Sequence, residues 1–447
     1  GAAINVIISH IQTANTLIIL IDNAGTGEIY HFVNPTTIYG PLLSIIGMTD
    51  FSFVPYAGRG YITPFSSFTT GDINIQKGLS GQFLYVYAGD GTAARKAAGA
   101  LPAGTLTVAN GAAGHTDPGV HVFGVVGETN SGFLSSPTAL KSFATSTALS
   151  VTFTNIPTFS GTQWTKRHIV ASIVIPTVIS GNLESYQLFF IPLATINDNV
   201  TTTLSNVSFY DADLLEDASH LYDNYTEIPA GCKLSLYHDR LCLSTTFNDI
   251  SLILVSHPGE PEAISQIDGL IIAPLDGNPI TNHGELRDVF YVFKRTRTVA
   301  YIDNGDVPSS WPLSSVDSSL GTCVHGIATV LDSGNSNVDY FIVTTFAGIQ
   351  VFNGRYFSPE LSYKIQQLWE DLDRNEFRKI QIINAPIQKL IILILPTGGL
   401  LVGNYANGLD PMKIRWVKWS FLMSVNTIAI WNIDTIIFGS EITTELM

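Results

Sequence analysis

The sequence predicts an all-β protein, a β-propeller of six or seven blades with an inserted immunoglobulin- or fibronectin-like β-sandwich. Three observations predict this class. Lys, Arg, Asp and Glu make up only 13% of the 447 residues, about half the usual share. The residues that replace them include many β-branched and turn-forming types, which favour strands over helices. Short apolar runs separated by tight polar turns also recur along most of the chain.

The apolar runs come in pairs that are typical of β-hairpins. Leu17–Ile21 and Glu28–Val33 flank the turn 22–27, and Lys233–Tyr237 and Leu241–Ser244 flank the turn 238–240. Strand, tight turn and strand without a helical period predict antiparallel sheets. The other pairs are Phe51–Pro55 with Tyr61–Thr63, Val289–Phe293 with Val299–Ile302, Tyr340–Thr344 with Gly348–Phe352, Leu390–Leu395 with Leu400–Asn404, and Thr427–Trp431 with Thr435–Phe438.

The spacing of these hairpins favours a propeller. Where no insertion intervenes, they recur irregularly at about 40 to 50 residues, as propeller blades do. A large β-sandwich also contains hairpins and is the alternative fold. We assign residues 1–98 to the first blades and 213–447 to the remaining blades. The strands within Thr427–Phe438 are expected to pair with strands near the N-terminus, because such closure removes two free sheet edges.

Residues 99–212 are the predicted inserted sandwich. A turn-rich linker, Leu101–Gly104, opens the insert. About seven short strands follow in about 110 residues, which is typical of immunoglobulin-like domains. Its core is expected to include Val122, Phe123, Val125, Ile169, Leu188 and Phe190.

One helix is predicted, over Ser358–Trp369. Leu361, Ile365 and Leu368 recur at helical spacing. Ser358 is a suitable N-cap and Pro359 a suitable first helical residue.

The sequence predicts no catalytic, cofactor or metal site. Cys232, Cys242 and Cys323 form an odd set without CxxC spacing, which disfavours a disulfide framework or a zinc site. Motifs of the HExxH, GxSxG and GxxxxGK[ST] types do not occur. Gly89–Ala94 matches only half of a dinucleotide-binding loop. Asp371–Glu376 begins like a calcium loop but carries Glu376 where glycine is required, so an acidic turn is predicted there.

The charge and hydropathy patterns restrict the partners. A net charge of −15 should repel nucleic acid. No apolar run reaches the roughly 18 residues of a membrane helix, so we expect no membrane insertion by this chain. A carbohydrate-binding or carbohydrate-cleaving propeller is the alternative function, since two catalytic carboxylates can come from distant positions in a sequence.

Eight stretches within about residues 80–365 each match a different segment of one known family. They are Phe83–Lys96, Gly119–Pro137, Lys166–Val170, Thr195–Thr203, Lys233–Ser244, Ser256–Glu262, Asp288–Val299 and Gly321–Phe357. Together they resemble the β-propeller structural proteins of short-tailed bacteriophage tails, known as tail nozzle, tail-tube B or tail-stabilisation proteins.

This resemblance implies a virion structural protein that is not an enzyme and has no active-site residues to carry over. It implies a homo-oligomeric ring of six chains in the tail or neck, which serves as a duct for DNA ejection and a platform for adaptor and fibre proteins. The acidic net charge fits such a duct, because double-stranded DNA must pass without adhering to it.

Overall fold

The computed structural model describes residues 4–11, 14–34, 37–70, 73–175, 187–314, 320–332, 338–421, 424–431 and 435–440. These residues form an all-β protein built from several small sheets. The chain divides into two compact units. The first unit comprises Gly1–Ala97, Pro229–Gly259 and Asp268–Met447, and the second comprises Ala98–Ile228 and Glu260–Ile267. The sequence analysis placed the insert at 99–212.

The first unit begins with two antiparallel sheets. The first sheet has the order β1 (Ile4–Ile11), β2 (Ala14–Asn23), β3 (Thr26–Asn34) and β4 (Thr37–Ile46). The second sheet contains β5 (Asp50–Tyr56), β6 (Arg59–Thr70), β7 (Ile73–Gly78), β8 (Tyr85–Tyr87) and β9 (Arg95–Lys96). In this second sheet β6 pairs with β5, β7 and β8, and β9 pairs with β8.

The second unit contains two sheets that share one core. The three-stranded sheet has the order β10 (Thr107–Ala113), β13 (Leu149–Thr154) and β16 (Thr203–Val207). The four-stranded sheet has the order β12 (Lys141–Thr145), β11 (Gly119–Thr129), β14 (Trp164–Ala171) and β15 (Phe189–Ile196). Phe123 of β11 meets Phe153 of β13 with ring centroids 5.3 Å apart. Two 3-10 helices follow, Asp211–Asp213 and Ser219–Asp223.

The core predicted for the insert is largely confirmed. Five of the six residues are at most 3% exposed, namely Val122, Phe123, Val125, Ile169 and Leu188. Phe190 is half-buried and packs against the cluster that contains Leu188.

Five further sheets complete the first unit. They are β17 (Lys233–Tyr237), β18 (Arg240–Ser244), β19 (Leu252–His257) and β20 (Glu260–Ile271); β21 (Ile280–Leu286), β22 (Val289–Lys294), β23 (Thr298–Tyr301) and β24 (Leu313–Ser314); β25 (Ile327–Asp332), β26 (Val338–Thr344) and β27 (Ile349–Phe352); β28 (Gln381–Ala385), β29 (Leu390–Ile394), β30 (Leu400–Asn404) and β31 (Arg415–Trp419); and β32 (Val425–Trp431) with β33 (Thr435–Ser440). Only residues 268–271 of β20 belong to the first unit. The 3-10 helices of this part are Pro308–Ser310, Tyr363–Ile365 and Arg374–Lys379.

The described residues of the first unit form seven sheets, which follow one another in a cyclic order. The first strand of one sheet contacts the first strand of the next in the pairs β1 with β5, β5 with β17, β17 with β21, β25 with β28, and β28 with β32. Between the fourth and fifth sheets β21 contacts β26, and β32 returns to β1.

The cyclic order of the sheets explains why β2 contains a continuous apolar run. Residues 17–20 are all at most 5% exposed. Ile18 and Leu20 pack in the cluster that contains Phe51 of β5. Leu17 packs on the other side, with Ala429 of β32. A strand that is covered on both faces is apolar at every position rather than at alternate ones.

The contact between the first and last sheets differs from the expected strand pairing. In the described part of the chain, β32 and β33 pair only with each other. They meet the first sheet through side chains, with Leu17 and Ile19 packed among Ala429 and Ile437. Packing therefore replaces the hydrogen-bonded ladder at this junction.

The predicted helix is much shorter than expected. The α-helix α1 spans only Gln366–Glu370 and follows the 3-10 turn Tyr363–Ile365. The amide of Ser358 donates to the carbonyl of Val351 in β27 (2.7 Å), and its hydroxyl accepts the amide of Val351 (3.0 Å) rather than a helix amide, so Ser358 is not an N-cap. Backbone pairing with β27 outweighs the helical spacing here. No helix in the described ranges is long and apolar enough to cross a membrane.

The longer of the two segments that form the second unit, residues 98–228, leaves and re-enters the first unit at one place. The amide of Ala97 donates to the carbonyl of Leu84 (2.8 Å), and the amide of Ala230 donates to the carbonyl of Gln82 (2.9 Å). Both ends of the interruption are therefore attached to the stretch 82–84.

Candidate functional site

Several sheets of the first unit have polar residues at the start of their first strand, and these residues surround two adjoining cavities. Asp50 is the first residue of β5, Gln381 is the first residue of β28, and His325 lies just before β25. These three residues line both cavities, which have volumes of about 400 and 430 Å³. Lys233, the first residue of β17, lines the larger one. We call the larger one the Lys233 cavity.

Asp50 and His325 form a hydrogen-bonded pair at the wall of both cavities. Nε2 of His325 lies 2.8 Å from Oδ2 of Asp50, and the two side chains are 20% and 14% exposed. The other carboxylate oxygen accepts the amide of Phe51 at 2.8 Å, which fixes its orientation. A carboxylate–imidazole pair of this kind can take up or release a proton.

Gln381 joins two neighbouring first strands. Its Oε1 accepts the hydroxyl of Thr427 at 3.3 Å. Its Nε2 donates to the carbonyl of Asn426 at 3.4 Å. Gln381 therefore holds β28 against β32 and contributes amide groups to the cavity wall.

Lys294 is fully buried whereas Lys233 is half-buried, and the environments of the two ammonium groups differ. Nζ of Lys294 donates to Asp276 (2.7 Å), to the carbonyl of Ala273 (2.9 Å) and to Ser251 (3.4 Å). Lys233 is half-buried, and its ammonium has no hydrogen-bond or ion-pair partner within the described ranges. Burial lowers the pKa of Lys233, and the nearby carboxylate of Asp50 opposes this only in part.

A second polar group lies on the surface of the first unit. His238 is in the turn between β17 and β18, whereas Glu285 lies near the end of β21 and Asp288 in the turn between β21 and β22. Their potential ligand atoms all lie within 4.8 Å of one another. The residue types suit a divalent cation, but all three side chains are exposed, as ordinary surface charges are. Sequence reasoning did not find this group, because its members belong to separate hairpins.

The second unit carries a hydrogen-bonded chain on β11, β14 and β15. Glu128 accepts from Lys166 (2.7 Å) and from Nε2 of His168 (2.8 Å), while Nδ1 of His168 lies 3.1 Å from the hydroxyl of Thr195. Burial of Glu128 favours its neutral form, but the bonds from Lys166 and His168 outweigh this and hold the pKa of Glu128 below its usual value. The order hydroxyl, imidazole, carboxylate is that of a nucleophilic triad. However, His168 and Thr195 are also directly opposed cross-strand neighbours, so strand pairing alone accounts for their contact.

The local motif candidates have structural roles. Asp90 accepts the amide and the hydroxyl of Thr92 in a tight turn, where the sequence matched half of a dinucleotide-binding loop. Asp373 accepts the amide of Asn375 and caps a 3-10 helix, and Glu376 pairs with Arg378 at 3.3 Å. The stretch 371–376 is thus an acidic turn tied to its own helix.

The three cysteines are free thiols. Cys232 and Cys242 are fully buried, and burial raises the pKa of both thiols well above the usual value. Burial also raises the pKa of Cys323, to about 11. A thiol with a raised pKa is a poor nucleophile and metal ligand at neutral pH.

Comparison with known proteins adds little. No family model and no curated protein matches the chain. Among solved structures it is similar to a Pyrococcus horikoshii acylaminoacyl peptidase in an orthorhombic crystal form, with 10% sequence identity and a TM-score of 0.18. The match covers 90% of this chain and 58% of the peptidase, so the chain spans little more than half the length of that protein. A TM-score this low carries no argument about fold or function.

Proposed function

We propose that the first unit is a seven-bladed β-propeller and that the second is an immunoglobulin-like sandwich. The cyclic order of seven small antiparallel sheets supports the propeller, because radial repetition brings the first strand of each blade beside the next. The two sheets of the second unit, with Phe123 packed on Phe153, support the sandwich.

We propose further that the chain is a virion structural protein in the tail or neck of a short-tailed bacteriophage. It forms a ring of six copies, serves as a duct for DNA ejection, and contacts adaptor and fibre proteins. The observation that carries this proposal is the position of the second unit, which interrupts the first unit after β9, between the second and third sheets. The resemblance implies an inserted domain at this point of the chain.

Exposed apolar side chains on the second unit support its participation in assembly. Leu193 is 99% exposed and Leu215 is 85% exposed, and both line one cavity of about 550 Å³. Leu193 has a φ of +64°, in the left-handed region that L-residues rarely adopt. A strained backbone that displays an apolar side chain to water fits a surface that is covered in a larger assembly.

The test is the size and shape of the purified full chain. Light scattering after gel filtration should give six times the 48.4 kDa mass of the chain, and negative-stain images should show rings. Leu193→Asp should weaken assembly. Val200→Asp is the matched control, because Val200 is also exposed (78%) and in the second unit but does not line the 550 Å³ cavity beside Leu193 and Leu215.

Two results would contradict the proposal. One is a chain that stays monomeric at every concentration. The other is release of reducing sugar from a bacterial glycan, abolished by substitution of a single carboxylate, which would favour the carbohydrate-cleaving alternative.

A further inference from the structure

The Lys233 cavity combines an accessible space with an amine that has no hydrogen-bond or ion-pair partner among the residues that the structure describes. The cavity has a volume of about 430 Å³, far above the roughly 30 Å³ that one water molecule occupies in the liquid. Lys233 lines it together with Asp50, His325 and Gln381. These residues begin or precede first strands, so the backbone of four sheets fixes the positions of their Cα atoms.

Lys294 has hydrogen-bond acceptors around its ammonium group, whereas Lys233 has none among the described residues. An ammonium group removed from water is stable when acceptors replace its hydration, as Ser251, Ala273 and Asp276 do for Lys294. The ammonium of Lys233 lacks such acceptors among the described residues, so burial favours its neutral form. A neutral amine is a nucleophile, whereas an ammonium ion is not.

A proton donor and acceptor is also present. The hydrogen-bonded Asp50–His325 pair lines the same cavity, with 2.8 Å between Oδ2 of Asp50 and Nε2 of His325. Formation of an imine from an amine and an aldehyde requires a proton at the departing hydroxyl, which an imidazole–carboxylate pair can supply.

We propose that Lys233 is a carbonyl-reactive lysine, whose amine forms a Schiff base with a small aldehyde that enters the cavity. The amine nitrogen forms a bond to the carbonyl carbon. The carbonyl oxygen leaves as water with the two protons of the amine, so nothing is oxidised or reduced. Lys233 is the nucleophile, and His325 with Asp50 relays the proton to the departing oxygen. This modification site goes beyond the structural function proposed above and does not depend on it.

The test uses native full-length protein, glycolaldehyde as the aldehyde, and cyanoborohydride to reduce the imine to a stable amine. Peptide mass mapping then gives the labelling rate at each lysine over a range of pH. Lys413 is the control for an exposed lysine, and Lys294 is the control for a buried lysine with its partners in place. A pKa one unit lower gives about tenfold more neutral amine well below the pKa. The pH profile at Lys233 should therefore rise at lower pH than the profile at Lys413, and Lys294 should stay unlabelled.

Two variants sharpen the test. Lys233→Met should abolish the label at this position only. His325→Gln should slow labelling at Lys233 several-fold while Lys413 is unaffected, because it removes the proton relay. The inference is overturned if Lys233 in the wild-type protein stays unlabelled while Lys413 reacts, or if its profile rises at the same pH as that of Lys413 or higher. Both of these outcomes are measured on the wild-type protein. They therefore test the inference whether or not the variants fold, and whether the chain is a monomer or a ring.

Discussion

Replacing Arg167 by methionine should destabilise the second unit by about 4 kcal/mol. Arg167 lies in β14 and its side chain is fully buried. Its guanidinium donates to the carbonyls of Pro157 (3.0 Å), Asp198 (3.0 Å) and Thr201 (2.6 Å), and to the carboxylate of Asp198 (3.1 Å). One side chain therefore ties three loop positions to the four-stranded sheet.

The magnitude follows from what each acceptor can do without Arg167. Methionine keeps the apolar stem but supplies no donor. The contact with the Pro157 carbonyl is buried, so that oxygen is left without a partner at a cost of about 1–3 kcal/mol. The carbonyls of Asp198 and Thr201 are partly exposed, and each lost bond costs about 0.5–1.5 kcal/mol. The carboxylate of Asp198 is 42% exposed and regains water, so its ion pair adds little.

Lys166→Met is the matched control, because Lys166 is the preceding residue of β14 and also pairs with a carboxylate. Its side chain is 44% exposed, and such a pair contributes less than about 1 kcal/mol. Hydrogen exchange of the β11 and β14 amides, followed by mass spectrometry, reports the stability of the second unit directly. An Arg167→Met variant within about 1 kcal/mol of the wild type would refute the reasoning.

Three further predictions concern the first unit. Burial and the nearby Lys233 lower the pKa of His283 to about 3, so between about pH 6.5 and 3 the unfolded chain binds a proton at His283 that the folded chain does not. The free energy of unfolding should therefore fall by about 1.4 kcal/mol per pH unit on acidification through this range, and His283→Gln should remove this part of the dependence in urea unfolding at several pH values. Trp369→Ala should cost about 3–5 kcal/mol in the same assay, since Trp369 is 1% exposed in a core cluster. Replacing residues 98–228 by a short Gly/Ser linker should leave the first unit folded by circular dichroism, because both ends are attached to 82–84; an insoluble or unfolded remainder would show that the first unit does not fold without residues 98–228.

The hairpins could be predicted because their evidence is local. The predicted strand Lys233–Tyr237 agrees with β17 at both ends, and its partner begins one residue earlier than predicted, at Arg240. Apolar runs and the turns between them depend on neighbouring residues only, so one sequence is enough to find them. The prediction of a helix over 358–369 was wrong because the decisive contacts are not local. Its spacing was helical, but the edge of β27 offered backbone partners that no local pattern reveals.

The Lys233 cavity could not be predicted, because its members come from separate sheets. Asp50, Lys233 and Gln381 are each a polar residue at the start of a strand, and nothing in their neighbours marks them. One signal was present. Each occupies the first position of the first strand in its sheet, and a cyclic order of sheets brings these positions together. To use this signal, one must know that the sheets follow a cyclic order. The sequence indicates such an order only through hairpins that recur at irregular spacing.

The junction between the first and last sheets has a consequence for biosynthesis. β1 and β32 are neighbours, although almost the whole chain separates them. Leu17 and Ile19 leave the ribosome early and must wait, exposed to water, until Ala429 and Ile437 have been made. The entropic cost of closing a loop grows by only about 0.6 kcal/mol for each doubling of its length, so closing about 400 residues costs about 3 kcal/mol more than closing about 10. The delay is a second cost, since synthesis proceeds at about 5–20 residues per second and apolar surface that stays exposed can bind wrong partners. Nascent chains of this protein should therefore need a chaperone, or fast dilution, until the last two strands are complete.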